Sequence, residues 1–264
     1  CRDKAAGTVG YQRHWEVGAR ARAHLAALTG LPAADHALVG SASEAISRVV
    51  TAIDWQAGDN VVVADKEYAS GRFAFLRLAG LGVEPRVVTT HDWRIDPDAL
   101  LDACDARTRL VYVSQVTSLT GQRFDVGYLG EALARRGIVF LVDASHALGV
   151  VPVDATAADF TVTACYKFLL STHMGVLAWN RERQPAFEPL TVGWASGLDA
   201  PDGQSYTLHE DASRAHAGNP NHLDIYLLEH SLRYLLGFGV ESISAHVLEL
   251  SDYLHEGLIG LDMP

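Results

Sequence analysis

Lysine is scarce in this chain. Only Lys4, Lys66 and Lys167 occur, so eighteen of its 21 basic residues are arginine. Chemistry that needs a primary amine therefore has three candidates. Cysteine is as scarce. Cys1, Cys104 and Cys165 are odd in number, widely spaced and form no CxxC pair. That pattern argues against a disulfide framework and a cysteine zinc site, and it fits a reducing, cytoplasmic setting. Long apolar runs are missing too. The longest, Ile138 to Val142, is about five residues, whereas a membrane span needs about 20. The opening CRDKAAGTVG has no apolar stretch of the signal-peptide kind. No Lys/Arg run offsets the net charge of -11, which makes nucleic acid and acidic membrane surfaces unsuitable partners. No GxGxxG follows a strand, and no P-loop, internal repeat or low-complexity tract is present. Asn219, His222 and Asp224 have no diagnostic ligand spacing, so no metal is expected.

What is present is a 264-residue chain, 48% hydrophobic, long enough to bury one large core. Short apolar runs recur at His36–Gly40, Val61–Ala64, Arg86–Thr89, Leu110–Ser114, Ile138–Val142, Phe160–Ala164 and Gly175–Trp179. Helix-like stretches precede or separate them at Trp15–Thr29, Ser43–Ile53, Ser70–Leu81, Pro97–Cys104 and Asp125–Arg136. Near-continuous apolar strands alternating with helices predict an α/β fold, a mostly parallel sheet covered on both faces. Gly193 to Gly218 is rich in Gly, Pro and Asp and is expected to be a long loop. Two further helices are expected, over about His222–Leu236 and Val240–Leu258.

In such sheets ligands sit beyond the carboxyl ends of the strands. Polar residues collect there: Asp65-Lys66-Glu67-Tyr68, Ser114-Gln115-Val116-Thr117, Asp143-Ala144-Ser145-His146 and Cys165-Tyr166-Lys167. Taken alone, Lys167 reads as a lysine that snorkels from a strand end. Its apolar neighbours Phe168-Leu169-Leu170 favour a neutral, nucleophilic amine. Asp143 ends the most apolar strand, IVFLVD. It reads either as a helix N-cap or as a carboxylate held for a cationic partner. Ser41-Ala42-Ser43 opens a helix, whose N-terminal amides and hydroxyls read as an ordinary cap or as an anion site. Amine, carboxylate and anion turn are together what pyridoxal phosphate (PLP) requires: a Schiff-base lysine, a partner for the pyridine nitrogen and a phosphate cradle.

The segments VGSASEA, DKEY, VSQVTSLTG, VDASHALG, TACYKFLLSTHMG and HAGNP, in that order, resemble the class V aminotransferases. That family includes cysteine desulfurases, kynureninases and isopenicillin N epimerase-like proteins. The likeness extends from Gly10 to Leu261. It implies a PLP fold type I large domain, with a seven-stranded three-layer sheet. It implies that Lys167 carries PLP and serves as base, that Asp143 pairs with the ring nitrogen, and that His146 lies near the phenolic oxygen. Ser43, with Ser41 and the Ala42 amide, would bind phosphate, and Tyr68 would stack on the ring. Gln115 and Thr117 would face the cofactor, and Tyr166 would contact phosphate. Trp194 matches a GW segment of kynureninase and epimerase-like members. Asn219 matches a turn that reaches the neighbouring active site in a homodimer.

The resemblance also implies a substrate class, an α-amino acid deprotonated at Cα by Lys167. Transamination and desulfurase-like C–S lysis are the leading outcomes. Epimerisation and kynureninase-like hydrolysis are alternatives, and a catalytically inactive interaction protein of the same fold is the reading from another class. Tyr166, where desulfurases commonly carry His, leans away from them. Residues 1–240 are expected to form the large domain and 241–264 to begin a smaller C-terminal one. The substrate-carboxylate arginine and the nucleophilic cysteine of relatives are expected in that smaller domain. Cys165 is not that cysteine; its place beside the lysine suggests a small buried residue.

Overall fold

A computed structural model describes residues 2–259 and 261. Helix α1 (Gly7–Thr29) leads into strand β1 (His36–Val39) and α2 (Ala42–Ala52). Then follow β2 (Asn60–Ala64), α3 (Ala69–Leu76), β3 (Glu84–Val88), α4 (Pro97–Asp102), β4 (Thr108–Ser114) and α5 (Val126–Ala134). Strands β5 (Val139–Asp143), β6 (Phe160–Ala164) and β7 (Gly175–Trp179) come next. The chain continues through β8 (Gly197–Asp199), β9 (Tyr206–Leu208), α6 (His222–Phe238) and α7 (Val240–Ile259).

Strands β1 to β7 form one seven-stranded sheet in the order β1-β7-β6-β5-β4-β2-β3. Only β7 runs against its neighbours β1 and β6; the other pairings are parallel. The fold is therefore the expected three-layer, mostly parallel α/β architecture. Alternate strand residues enter different cores, because successive side chains point to opposite faces. Val61, Val63, Leu110, Tyr112 and Leu141 meet Ile46 and Val49 of α2 and Phe75 of α3. Val62, Val111, Val113, Phe140 and Val142 meet Leu100 of α4 and Leu129 and Leu133 of α5. On that same face, beside β1 and β7, Leu25 of α1 and Leu228 and Leu232 of α6 pack against Leu38 and Val176.

Two expectations are corrected. The Gly193–Gly218 stretch is not all loop. It holds the hairpin β8–β9, registered Gly197 to Leu208, and a short 3-10 helix at Ala212–Ala215. The Pro201-Asp202-Gly203 turn, with Gly203 at φ 65°, closes that hairpin. Strands of three residues give too little alternation to register among so many turn residues. The helix expected over Ser70–Leu81 is α-helical only to Leu76 and tightens to a 3-10 helix over Arg77–Leu81. No helix of the described residues is long and apolar enough to cross a membrane.

Candidate active site at the carboxyl edge of the sheet

Because β1, β2, β4, β5 and β6 run in one direction, their C-terminal residues share one edge. Strand β7 starts there, with Gly175 opposite both Val39 and Ala164. The turn into α2 rests on this glycine. A Cβ at Gly175 would lie 2.3 Å from the Ser41 carbonyl carbon and 2.6 Å from the Ala42 nitrogen. Any side chain would push the turn off the sheet. Ser41 caps α2 by accepting from the Glu44 amide at 3.1 Å, and Glu44 reaches back to accept from the Gly40 amide at 2.9 Å. This reciprocal cap fixes the turn. Among the described residues the Ala42 and Ser43 amides have no acceptor, and the Ser43 hydroxyl donates to Ser70 Oγ at 2.8 Å. That bond ties the start of α2 to the start of α3, whose N-terminal flank is Tyr68.

Lys167 follows β6 on a loop folded back on itself. Cys165 N donates to Met174 O and Ser171 N donates to Cys165 O. Gly149, at φ 91°, lets this loop approach, since a Cβ there would meet the Phe168 carbonyl oxygen at 2.9 Å. Lys167 Nζ stands 5.3 Å from the Tyr68 ring centre and 5.9 Å from that of Tyr166. It has no hydrogen-bond or ion-pair partner among the described residues. Burial pushes its amine below the ordinary lysine value, and the charge of Asp143 pulls it partly back up.

Asp143 is buried at the end of β5. Its Oδ1 accepts from the Ser145 amide at 2.8 Å and its Oδ2 from the Tyr112 hydroxyl at 3.1 Å. The first bond is the local turn cap; the second has no capping role. Ser145 Oγ accepts from Ala164 N at 2.9 Å, joining the exits of β5 and β6. His146 packs edge-on to Phe168, with ring centres 6.2 Å apart. Burial lowers its pKa, the Lys167 charge lowers it further, and Asp143 opposes both. His146 therefore favours the neutral imidazole.

Tyr68, Asp143, His146, Tyr166 and Lys167 thus meet, with Ser41, Ala42 and Ser43 on the same edge. Other expected site residues lie apart or are engaged elsewhere. Gln115 donates its amide to Pro152 O at 3.0 Å, and the Thr117 hydroxyl pairs with Thr120 at 2.6 Å. Trp194 is exposed and lines a cleft of about 480 Å³ with Trp15, Arg22, His209 and His216. Asn219 is exposed and accepts from the Tyr11 hydroxyl at 3.0 Å. It lines a cleft of about 230 Å³ shared with Gly40, Glu44 and His173, and the His173 ring lies 5.8 Å from that of Tyr166. Among the described residues no group of three or more His, Cys, Asp or Glu could hold a metal.

Three site residues were not singled out from the sequence: Glu67, Tyr112 and Ser114. Glu67 is buried after β2; its Oε1 accepts from Ser114 N at 2.7 Å and its Oε2 from Ser114 Oγ at 2.5 Å. The available signal was a tyrosine and a serine at alternate positions of the apolar stretch Leu110–Ser114.

Comparison with known proteins agrees with this fold. Residues 11–263 match the family described as Aminotransferase class-V. A probable cysteine desulfurase of Methanothermobacter thermautotrophicus is 32% identical over 224 residues, covering 83% of this chain and 56% of that protein. The isopenicillin N epimerase of Streptomyces clavuligerus is 31% identical over 192 residues, covering 70% of this chain and 48% of that protein. The apo structure of a cysteine desulfurase from Thermococcus onnurineus NA1 superposes with a TM-score of 0.87 at 25% identity, covering 97% of this chain and 65% of that one. The chain thus spans about half the length of the curated relatives it matches.

Proposed function

Since the chain belongs to the class V aminotransferase family, we propose that it is the cofactor-holding part of a PLP-dependent enzyme acting on an α-amino acid, with carbon–sulfur cleavage as its reaction. The observation that carries this is the unpartnered Lys167 amine facing the Tyr68 ring, with buried Asp143 beside it. The residues fit the group. Lys167 would hold PLP covalently, Tyr68 would cover the ring and Asp143 would pair with the ring nitrogen. The Ala42 and Ser43 amides and the Ser43 hydroxyl would take the phosphate. Tyr166, and Asn219 from a second copy, would complete the phosphate shell, which makes a homodimer part of the proposal. Gln115, Thr117 and Trp194 would contribute from the substrate side.

PLP, when bound, supplies an electron sink for the pair left on the substrate Cα. The chain's own residues do the rest. Lys167 Nζ, its pKa lowered by partial burial, would accept the Cα proton as general base. Asp143 keeps its negative charge in place through two fixed donors, so no reorganisation is needed as charge develops. His146, neutral, offers a hydrogen bond rather than a charge near Lys167.

Neither described cysteine is a sulfur acceptor. Cys165 is fully buried, its thiol pushed up to about 12 by desolvation, and Cys104 donates to Leu100 O with its thiol raised for the same reason. Carbon–sulfur cleavage by these residues would therefore release sulfur to solution or to an added thiol. Helix α7 buries only Ser244 while exposing Leu248, Leu250, Tyr253 and Leu254, which supports placing the start of a second domain at about residue 241. Two free thiols suit the proposed cytoplasmic setting.

The test is product analysis with the PLP-loaded chain and a panel of amino acids. Cysteine or cystine is expected to yield sulfide or a persulfide with Lys167 intact. Exclusive formation of pyridoxamine phosphate would instead identify a transaminase, and loss of optical rotation without cleavage an epimerase.

A further inference from the structure

Behind Asp143 lies a buried polar network that the proposed chemistry does not use. Glu67 is 4% exposed and Tyr112 fully buried. Ser114 stands directly beside Asp143 across the β4–β5 pair, and Tyr112, two residues earlier, shares its face. Ser114 gives both its amide and its hydroxyl to Glu67, while Tyr112 gives its hydroxyl to Asp143. Apolar Val63, Leu110, Leu141 and Phe75 share the core cluster of Tyr112. Where α3 covers the network it offers Gly71, so close that a Cβ would lie 2.5 Å from the Tyr112 ring. No arginine or lysine pairs with Glu67 or Asp143 among the described residues.

We propose that Glu67 is a positioning residue for the cofactor site, a buried carboxyl that gives up its proton when a cation docks on the open side of Asp143 and so balances the positive charge brought into the apolar wall. This rests on the site holding PLP as set out above. Two carboxylates without a counter-ion cannot both ionise cheaply in an apolar wall. A pyridinium on the open side of Asp143 supplies the missing positive charge. The Glu67 O–H bond then breaks heterolytically; the electron pair stays on the carboxylate and the proton passes to bulk buffer.

The groups around Glu67 make it the member that titrates. Burial raises Glu67 to about 7, the Ser114 donors oppose that rise, and the charge of Asp143 adds to it. Burial and both carboxylates push the Tyr112 hydroxyl far up, so Tyr112 remains a donor throughout. Beyond Asp143 the other titratable groups are His146 after β5 and Lys167 after β6, and both face Asp143. The face of α3 over the network contributes no charge at Gly71 or Phe75.

Calorimetric titration of the cofactor-free chain with PLP, in two buffers of different ionisation enthalpy, counts the protons exchanged. Wild type at pH 7 is expected to release up to about half a proton more than Glu67→Gln, because Glu67 is about half protonated there before binding. At pH 9 the two counts should coincide. Equal counts at pH 7, with PLP bound to both proteins, would overturn the proposal and leave the site assignment standing. Failure of wild type to bind PLP would remove both. Should Glu67→Gln not fold, infrared difference spectra of the unsubstituted chain decide. Loss of a buried carboxylic-acid band on adding PLP at pH 7 is expected, and persistence of that band contradicts the proposal.

Discussion

Lys167→Ala is expected to leave a folded protein that no longer retains PLP through gel filtration and whose turnover of amino acids falls by about 10³-fold or more. Two losses combine. The covalent anchor goes, and so does the base at the substrate Cα, a role worth about 10²–10⁴-fold by itself. The fold should not suffer. Lys167 makes no hydrogen bond or ion pair among the described residues, and its amine is held below its ordinary value by burial. Removing a half-desolvated ammonium relieves the protein, so the melting temperature of the cofactor-free form should stay level or rise. Thermal melts and the visible cofactor band, measured on the same preparation, separate the two effects. A variant that keeps the band and the rate would show that Lys66 or Lys4 is the reactive amine.

Asp143 separates charge from structure. Asp143→Ala strands the Tyr112 hydroxyl and the Ser145 amide, both buried donors that Asp143 accepts from. Each orphaned group costs about 1–3 kcal/mol against a total stability of about 5–15 kcal/mol. A stability loss of about 2–6 kcal/mol and a clearly lower melting temperature are the expected result. Asp143→Asn keeps an acceptor for Ser145 N and places an amide against the Tyr112 oxygen. Its stability should fall within about 1 kcal/mol of wild type, the worth of a typical neutral hydrogen bond. Its rate should nevertheless drop by about 10²-fold or more, because the fixed negative charge opposite the ring nitrogen is gone. Denaturant unfolding and steady-state rates on both variants provide the check. An Asn variant as active as wild type would confine Asp143 to capping the turn at Ser145.

Most strands were legible because they are runs of mostly buried residues at the spacing of a parallel sheet; the edge strand β3, Glu84–Val88, has none of its residues buried. Phe160–Ala164 and Gly175–Trp179 carry the bounds read from the sequence, and the others shift by one or two residues. The antiparallel course of β7 was not legible, since a strand buried on both faces has the same composition in either direction. Its consequence, Gly175 under the Ser41–Ala42 turn, was hidden with it. Lys167 and Asp143 were legible as polar residues ending apolar strands. Glu67 was in view in the same way, after β2. Its importance was not, because it depends on Ser114 and Tyr112 from another strand and on the lack of a cation nearby. Trp194 and Asn219 show the opposite case. Their local segments resemble family turns, yet within one chain they line clefts that do not include Lys167.

The central claim is that Lys167 is the amine that carries PLP. Borohydride reduction of the PLP-loaded chain, followed by proteolysis and mass spectrometry, tests it most directly. The account predicts one phosphopyridoxyl label, on the peptide containing Tyr166-Lys167-Phe168. A label on Lys4 or Lys66, or a chain that takes up no label at all, would contradict it.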